Sequence, residues 1–261
     1  MATQALAVNG AKVYIVGRTE EKLERVVETH DKNISGQIIP LVADITSKSD
    51  IARLVKETES REKCLCIPIN NAGISGHTQT TEAETASEMK KNLFEDDDAT
   101  FDDWTTTYKT NVAQCFFTTT AFLPLLQKAS DHQHGYSGTV LNITSISGLA
   151  KSSQHHFAYN ASKAAELHLT KLLASEVTSN GLKVRVNSIA PGVFPSEMTA
   201  NDSGADQKSH LEKEKFEGKV PAARPGNDRD MAGAVLFAVT NQYLNGQNLV
   251  VDGGYLLSVG T

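Results

Sequence analysis

The sequence has no apolar run near the roughly 18 residues needed to cross a bilayer, and its start shows no basic stretch followed by an apolar one, the mark of a secretion signal. It has no excess of positive charge: 25 Lys and Arg stand against 31 Asp and Glu, a net charge of −6. That argues against binding nucleic acid, which draws on basic surface. Cysteine is scarce, with three in 261 residues. An odd number suits a reducing compartment better than a disulfide framework. Cys64 and Cys66 have no second pair to complete a zinc set, so core packing is expected of them and no metal site is expected anywhere. Glycine is sparse at the start, where residues 1–40 hold only the isolated Gly10, Gly17 and Gly36. These absences point to a cytoplasmic protein with no membrane or nucleic-acid partner.

What is present is an alternation of two patterns. Near-continuous apolar stretches occur at 12–16, 38–43, 65–69, 139–143, 183–190 and 248–252. Such runs mark parallel strands covered on both faces. Between them lie helical periodicities. Ala2 to Val8 reads as the end of a helix stopped at Gly10, since glycine accepts the left-handed backbone that closes helices. Thr19 is a candidate cap for the helix over 20–28, and Ser47 or Ser49 for the next, with Ile51, Leu54 and Val55 facing inward. Long helices are expected at about 101–128 and 158–178. The order predicts an α/β fold with a doubly wound parallel sheet, Rossmann-like, in one domain over 1–261. Residues 74–100 are polar and acidic and read as a solvated surface loop. His132, His134, His155 and His156 are likewise expected in solvated loops. Residues 194–227 form a long excursion with a charged helical piece, and a substrate loop is the favoured reading over simple decoration.

The chemistry-bearing residues fall at strand ends, where α/β folds place their sites. Asn70 to Gly73, Ser145, Pro191 to Thr199 and Asp252 to Tyr255 each follow an apolar run. Tyr159 and Lys163 in YNASK share a helix face at i, i+4. An ammonium there stabilises phenolate, which suits a tyrosine to proton transfer near neutral pH. A surface Tyr–Lys pair is the alternative for that motif taken alone.

NNAG, then TNV at 110–112, a strand-end serine, YNASK and the Pro191-Gly192 pair together resemble the short-chain dehydrogenase/reductase family, in its order and approximate spacing. The resemblance spans Ala2 to Tyr255. FDDW, the stretch 220–239 and NGQNLVVDGG are similar to the branch that includes 3-oxoacyl-carrier-protein reductases. The resemblance implies hydride transfer between a nicotinamide and a carbonyl or secondary alcohol. Tyr159 would exchange the proton with the substrate oxygen, which Ser145 would bind. Ser147 is the rival serine, because Ser145 precedes Tyr159 by one residue more than is common. Lys163 would lower the Tyr pKa and hold the nicotinamide ribose. Asn111 would hold a helix bend and the water of a proton relay. Asn71, Ala72 and Gly73 would line the adenosine side, and Asp44 would accept from the adenine amino group. Pro191 and Gly192 belong to the cofactor-binding strand end, and Val193 and Ser196 would touch the carboxamide end.

Gly17-Arg18 ends the strand that chooses the cofactor. A carboxylate there would hold a ribose hydroxyl, whereas arginine accommodates a 2′-phosphate. NADP(H) is therefore expected, an ordinary surface arginine being the alternative for Arg18. The family opens with a further strand and a TGxxxGxG turn that binds pyrophosphate. Neither is seen before Ala2, so the sequence reads as N-terminally truncated. Three consequences stand open: a shortened version of an active reductase, a non-catalytic binding or oligomerisation partner, and an active form with a rearranged phosphate site. A homodimer or homotetramer is expected through the apolar faces at 112–126 and 161–173, which core packing explains equally well. The substrate is expected to be a small carbonyl or alcohol of unspecified identity.

Overall fold

A computed structural model describes residues 1–200 and 203–261. It begins with helix α1 (Ala2–Val8) and strand β1 (Lys12–Gly17). Gly10 between them has φ +94°, the left-handed turn anticipated for a helix stop. Next come α2 (Glu20–His30), β2 (Gln37–Val42) and α3 (Lys48–Arg61). Ser47 caps α3 by accepting from the Asp50 amide. Thr19 stands at the cap position of α2 but makes no side-chain cap bond.

The middle of the chain holds β3 (Ile69–Asn70), α4 (Ala86–Phe94), α5 (Phe101–Tyr108), a π-helical turn (Lys109–Ala113) and α6 (Gln114–His132). Then follow β4 (Gly138–Ile143), a 3₁₀ turn (Ile146–Gly148), α7 (Phe157–Ser179) and β5 (Val184–Pro191). Short α8 (Glu197–Ala200), a 3₁₀ turn (Lys213–Phe216), α9 (Asp228–Thr240), β6 (Asn248–Val251) and α10 (Tyr255–Val259) complete it. No helix among the described residues is long and apolar enough to cross a membrane.

The strands are parallel and the helices flank them, as the apolar runs require. The sheet, however, is in two parts. One pairs β1 with β2, with Val13 opposite Ile38. The other runs β3-β4-β5-β6, with Leu141 of β4 opposite Asn187 of β5. No ladder joins β1 to β3 among the described residues.

Cys64 to Pro68 correct the expected strand over 65–69. Only Ile69 and Asn70 are regular strand. Pro68 has no N–H to give, yet the Cys66 and Pro68 carbonyls still accept from Thr139 and Leu141. Cys64 is half-buried and Cys66 exposed, so neither is the core residue expected.

Two apolar clusters hold the layers. Leu54, Phe122, Leu125, Leu126, Val140, Leu173 and Val186 form one. Leu125 and Leu126 are fully buried, and cutting either to alanine costs about 2–5 kcal/mol. Leu141, Ile189, Met231 and Val235 centre the other, against which Met1 and Leu6 pack. Buried Arg185 ties β5 to the end of α9. Its guanidinium donates to the carbonyls of Val239 and Leu244 at 2.9 and 3.0 Å.

The polar segment 74–100 is not a simple solvated loop. It contains α4, and the Gln79 amide donates to the His155 carbonyl at 2.8 Å. Gln79 is 9% exposed. His155 and His156 are half-buried against it, through Thr81 and Thr78, whereas His132 and His134 are exposed, the first as the last residue of α6 and not in a loop. In the excursion 194–227 the charged helical piece shrinks to the 3₁₀ turn at 213–216. Asn201 and Asp202 of that excursion lie outside the described residues. Its start is tied to α2, where Lys22 donates to Glu197 at 2.8 Å and His30 bonds to the Asp206 carbonyl.

Candidate active site

The π turn of residues 109–113 interrupts what would be one long helix, a distortion common at functional sites. It buries Asn111 completely. The Asn111 Oδ1 accepts from the Ile74 amide at 2.8 Å. Its Nδ2 donates to the Ile74 carbonyl and to the Ser162 Oγ, both at 2.9 Å. Asn111 therefore locks the chain after β3 onto α7.

Tyr159 and Lys163 leave α7 on the same face. The Lys163 Nζ is 5.8 Å from the centre of the Tyr159 ring. Tyr159 is half-buried, and its ring meets the His156 ring edge-on at 6.4 Å. Lys163 is buried, and its Nζ donates to the Ile143 carbonyl at 3.1 Å and to the Glu166 carboxylate at 2.7 Å. Burial works against charge on this lysine, but Glu166, Tyr159 and Cys115 outweigh it and hold its pKa above the ordinary value. Burial also pushes the Glu166 carboxyl up, with Lys163 opposing.

Ser145 stands just past the end of β4, buried, as the cap of the 3₁₀ turn. Its Oγ accepts from the Ser147 amide at 3.1 Å. The rival Ser147 points its hydroxyl elsewhere, donating to Gln154 at 3.0 Å, and Gln154 in turn donates to the Tyr255 hydroxyl at 2.8 Å. The turn packs directly on α7: a Cβ built on Gly148 would lie 2.6 Å from backbone of Lys163 and Ala164. Gln154 and His155 adopt left-handed backbone, φ +50° and +67°. Strained non-glycine residues of this kind gather at functional sites.

The remaining expected residues sit at neighbouring strand ends. Asn71 and Ala72 are exposed and Gly73 half-buried after β3. A Cβ on Gly73 would meet Asn111 Oδ1 at 3.1 Å and Lys163 Nζ at 3.6 Å, so its backbone lies beside the ammonium. Pro191 ends β5, and the Gly192 amide donates to the Val251 carbonyl. The Val193 carbonyl accepts from Gly226. Phe194 is core, whereas Ser196 is exposed and caps the turn into α8 by accepting from the Thr199 amide.

Arg18 is exposed beyond β1, and its charge acts on Asp44 beyond β2. The Thr46 amide and hydroxyl both donate to Asp44 Oδ1, and these bonds hold that carboxyl below its usual range. The structure thus brings Asn111, Ser145, Tyr159 and Lys163 to one end of the four-stranded sheet. Arg18 and Asp44 occupy the carboxyl ends of the two-stranded one. The donor set fits a nicotinamide dinucleotide: a buried ammonium with a third N–H available for a ribose hydroxyl, bare backbone at Gly73, and a guanidinium at the far end.

Glu166 was missed by sequence reasoning. Its signal is the i, i+3 spacing from Lys163, which places both on one helix face.

A family model described as enoyl-(acyl carrier protein) reductase matches residues 1–256. The short-chain dehydrogenase/reductase PhomF′ of Diaporthe leptostromiformis is 37% identical over 262 residues, covering 98% of this chain and 86% of the relative. Among solved structures, the Pseudomonas aeruginosa RhlG/NADP active-site complex is similar at 28% identity and TM-score 0.77. That match covers 97% of this chain and 89% of the other. A 7α-hydroxysteroid dehydrogenase complexed with NADH and 7-oxo glycochenodeoxycholic acid matches at 25% identity and TM-score 0.76, over 97% and 88%.

Proposed function

Because the chain belongs to the short-chain dehydrogenase/reductase family, we propose that it is an NADP(H)-dependent oxidoreductase interconverting a carbonyl and a secondary alcohol. The observation that carries this reading is the meeting of Tyr159, Lys163, Ser145 and Asn111 around one strand end. Bound NADPH supplies the hydride. Tyr159 gives its hydroxyl proton to the substrate oxygen while Ser145 donates a hydrogen bond to the same oxygen. Lys163 holds the ribose beside the reaction and favours the phenolate left behind. Asn111 holds the π turn and the segment after β3 in register with α7. Arg18 would donate to the 2′-phosphate, and Asp44 and Asn71 to Gly73 would line the adenosine side. Pro191 to Val193 and Ser196 face the carboxamide end.

The NADP complex among the similar structures supports the phosphate-bearing cofactor; the NADH complex shows that the fold serves both. The chain works as one domain, with 194–227 as the loop over the substrate. Trp104, Tyr108, Phe116 and Leu172 are exposed apolar residues on α5, α6 and α7. They support pairing of these helices with a second copy, which light scattering of the purified protein reads directly.

The test is loss of NADPH absorbance against a panel of ketones, keto-thioesters and ring ketones. Turnover with NADPH exceeding that with NADH is expected. A preference for NADH would overturn the cofactor assignment. Failure to bind NADPH in a fluorescence titration would favour the non-catalytic partner instead.

A further inference from the structure

Helix α7 carries a carboxylate that the proposed reaction does not require. Glu166 is 1% exposed. Its Oε2 accepts from Lys163 Nζ at 2.7 Å, and its Oε1 lies 3.5 Å from the Cys115 Sγ of α6. A carboxylate out of water is unfavourable unless paired, and the partner here is the same ammonium that faces Tyr159.

Among the described residues, the groups that bear on the pair come from α7, α6, β4 and the π turn. From α7 itself come Tyr159 and Lys163, and from α6 the Cys115 thiol, which burial pushes well above its ordinary pKa. From β4 comes only the Ile143 carbonyl, which accepts from Lys163. From the π turn come only the Asn111 carboxamide, beside Lys163 across Gly73, and the Asn111 carbonyl, which accepts from Cys115 at 3.5 Å. The positive charge of Lys163 therefore has one buried counter-charge.

We propose that Glu166 is a positioning residue that fixes the Lys163 ammonium between its carboxylate and the Ile143 carbonyl and tempers the positive charge reaching Tyr159. This deepens the reductase reading and rests on it for its catalytic meaning. Two of the three lysine donors are spent on Glu166 and Ile143, which leaves one for a ligand hydroxyl. The carboxylate also stabilises the charged lysine in a site where burial works against its charge.

Glu166→Gln keeps the shape and removes the charge. Two measurements decide the proposal. The first needs no turnover: NMR of ¹⁵N-lysine-labelled protein follows the Lys163 ammonium with pH, its signal identified by its loss in Lys163→Met. The Lys163 midpoint falls by about one pH unit or more in Glu166→Gln and falls less in Glu166→Asp, which keeps the charge. The second is the pH profile of carbonyl reduction. Its alkaline limb moves to lower pH in Glu166→Gln, because the ammonium loses its proton earlier and, while charged, acts on Tyr159 uncompensated. Glu166→Asp restores most of that displacement.

An unchanged Lys163 midpoint overturns the proposal, whatever happens to melting temperature or rate. A shifted midpoint with an unmoved pH profile overturns the catalytic part and leaves a structural ion pair. If no carbonyl is turned over, the reductase reading falls, and the Lys163 titration still decides the pairing. Should Glu166→Gln not fold, Glu166→Met, of similar size and uncharged, carries the same expectation for the midpoint.

Discussion

Lys163 and Tyr159 lie one helical turn apart on α7, with the ammonium 5.8 Å from the ring centre. In the proposed reaction the Tyr159 hydroxyl delivers the proton. Tyr159→Phe should lower turnover by about 10²–10⁴-fold while leaving NADPH affinity nearly unchanged. Steady-state rates beside a fluorescence titration of NADPH check both halves, and retained turnover would defeat the assignment.

Asn111 spends its carboxamide on both backbone groups of Ile74 and on Ser162. Asn111→Leu leaves the Ile74 amide and carbonyl without these partners. A loss of about 2–6 kcal/mol is expected, at about 1–3 kcal/mol for each of the two orphaned groups. Urea unfolding midpoints measure it. Activity should fall further than stability alone explains, since the π turn loses its anchor.

Gly148 has no room for a side chain, because a methyl would press on the Lys163 and Ala164 backbone. Gly148→Ala must part the 3₁₀ turn from α7 and move Ser145 away from Tyr159. The expected cost is about 1–3 kcal/mol in stability, with a disproportionate drop in kcat. Thermal melts and rates on the same preparation separate the two.

Arg18 is exposed beyond β1, where its charge acts on Asp44. Arg18→Ala should raise KM for NADPH about tenfold or more, the value of a lost hydrogen bond to a charged group, and leave KM for NADH nearly as it was. Equal effects on both cofactors would remove Arg18 from the phosphate-binding role.

Tyr14 of β1 donates to Glu62 at 2.6 Å. Burial first, and then that carboxylate, push its pKa up to about 12. A folded value above the unfolded one of about 10 means that the native state holds the proton more tightly. This stability is full below about pH 10 and is lost as pH rises toward 12. Tyr14→Phe should remove that part of the alkaline loss, read as melting temperature against pH.

The fold class was legible because apolar runs and helical periods survive in a linear string. Tyr159, Lys163, Asn111 and Ser145 stood out as candidates because short motifs carry them, and the fold brings them to one end of the four-stranded sheet. Glu166 was not: a glutamate in a helix ordinarily reads as solvated, and only the packing of α6 over α7 encloses it. Gln79 was hidden for a related reason. Its backbone bonds reach His155, 76 residues away, and polar partners so distant leave no mark on local composition. The expected strand at 65–69 formed only in part. Its carbonyls at Cys66 and Pro68 still accept from β4, but Pro68 has no N–H to return, and regular strand is confined to Ile69 and Asn70.

Among the described residues, β1 and β2 form a hydrogen-bonded sheet separate from the other four strands. Ladder bonds transmit strain stiffly, whereas side-chain packing lets neighbours slide. The part bearing Arg18 and Asp44 is thus coupled to the part bearing Tyr159 through helices, apolar contacts and polar ties such as Lys22–Glu197 and His30–Asp206, with no ladder between β1 and β3 among the described residues. Amide protons of β1 and β2 should exchange with solvent well before those of β4 and β5. A ligand long enough to touch Arg18 and Lys163 together would act as a brace, slowing exchange in both halves at once.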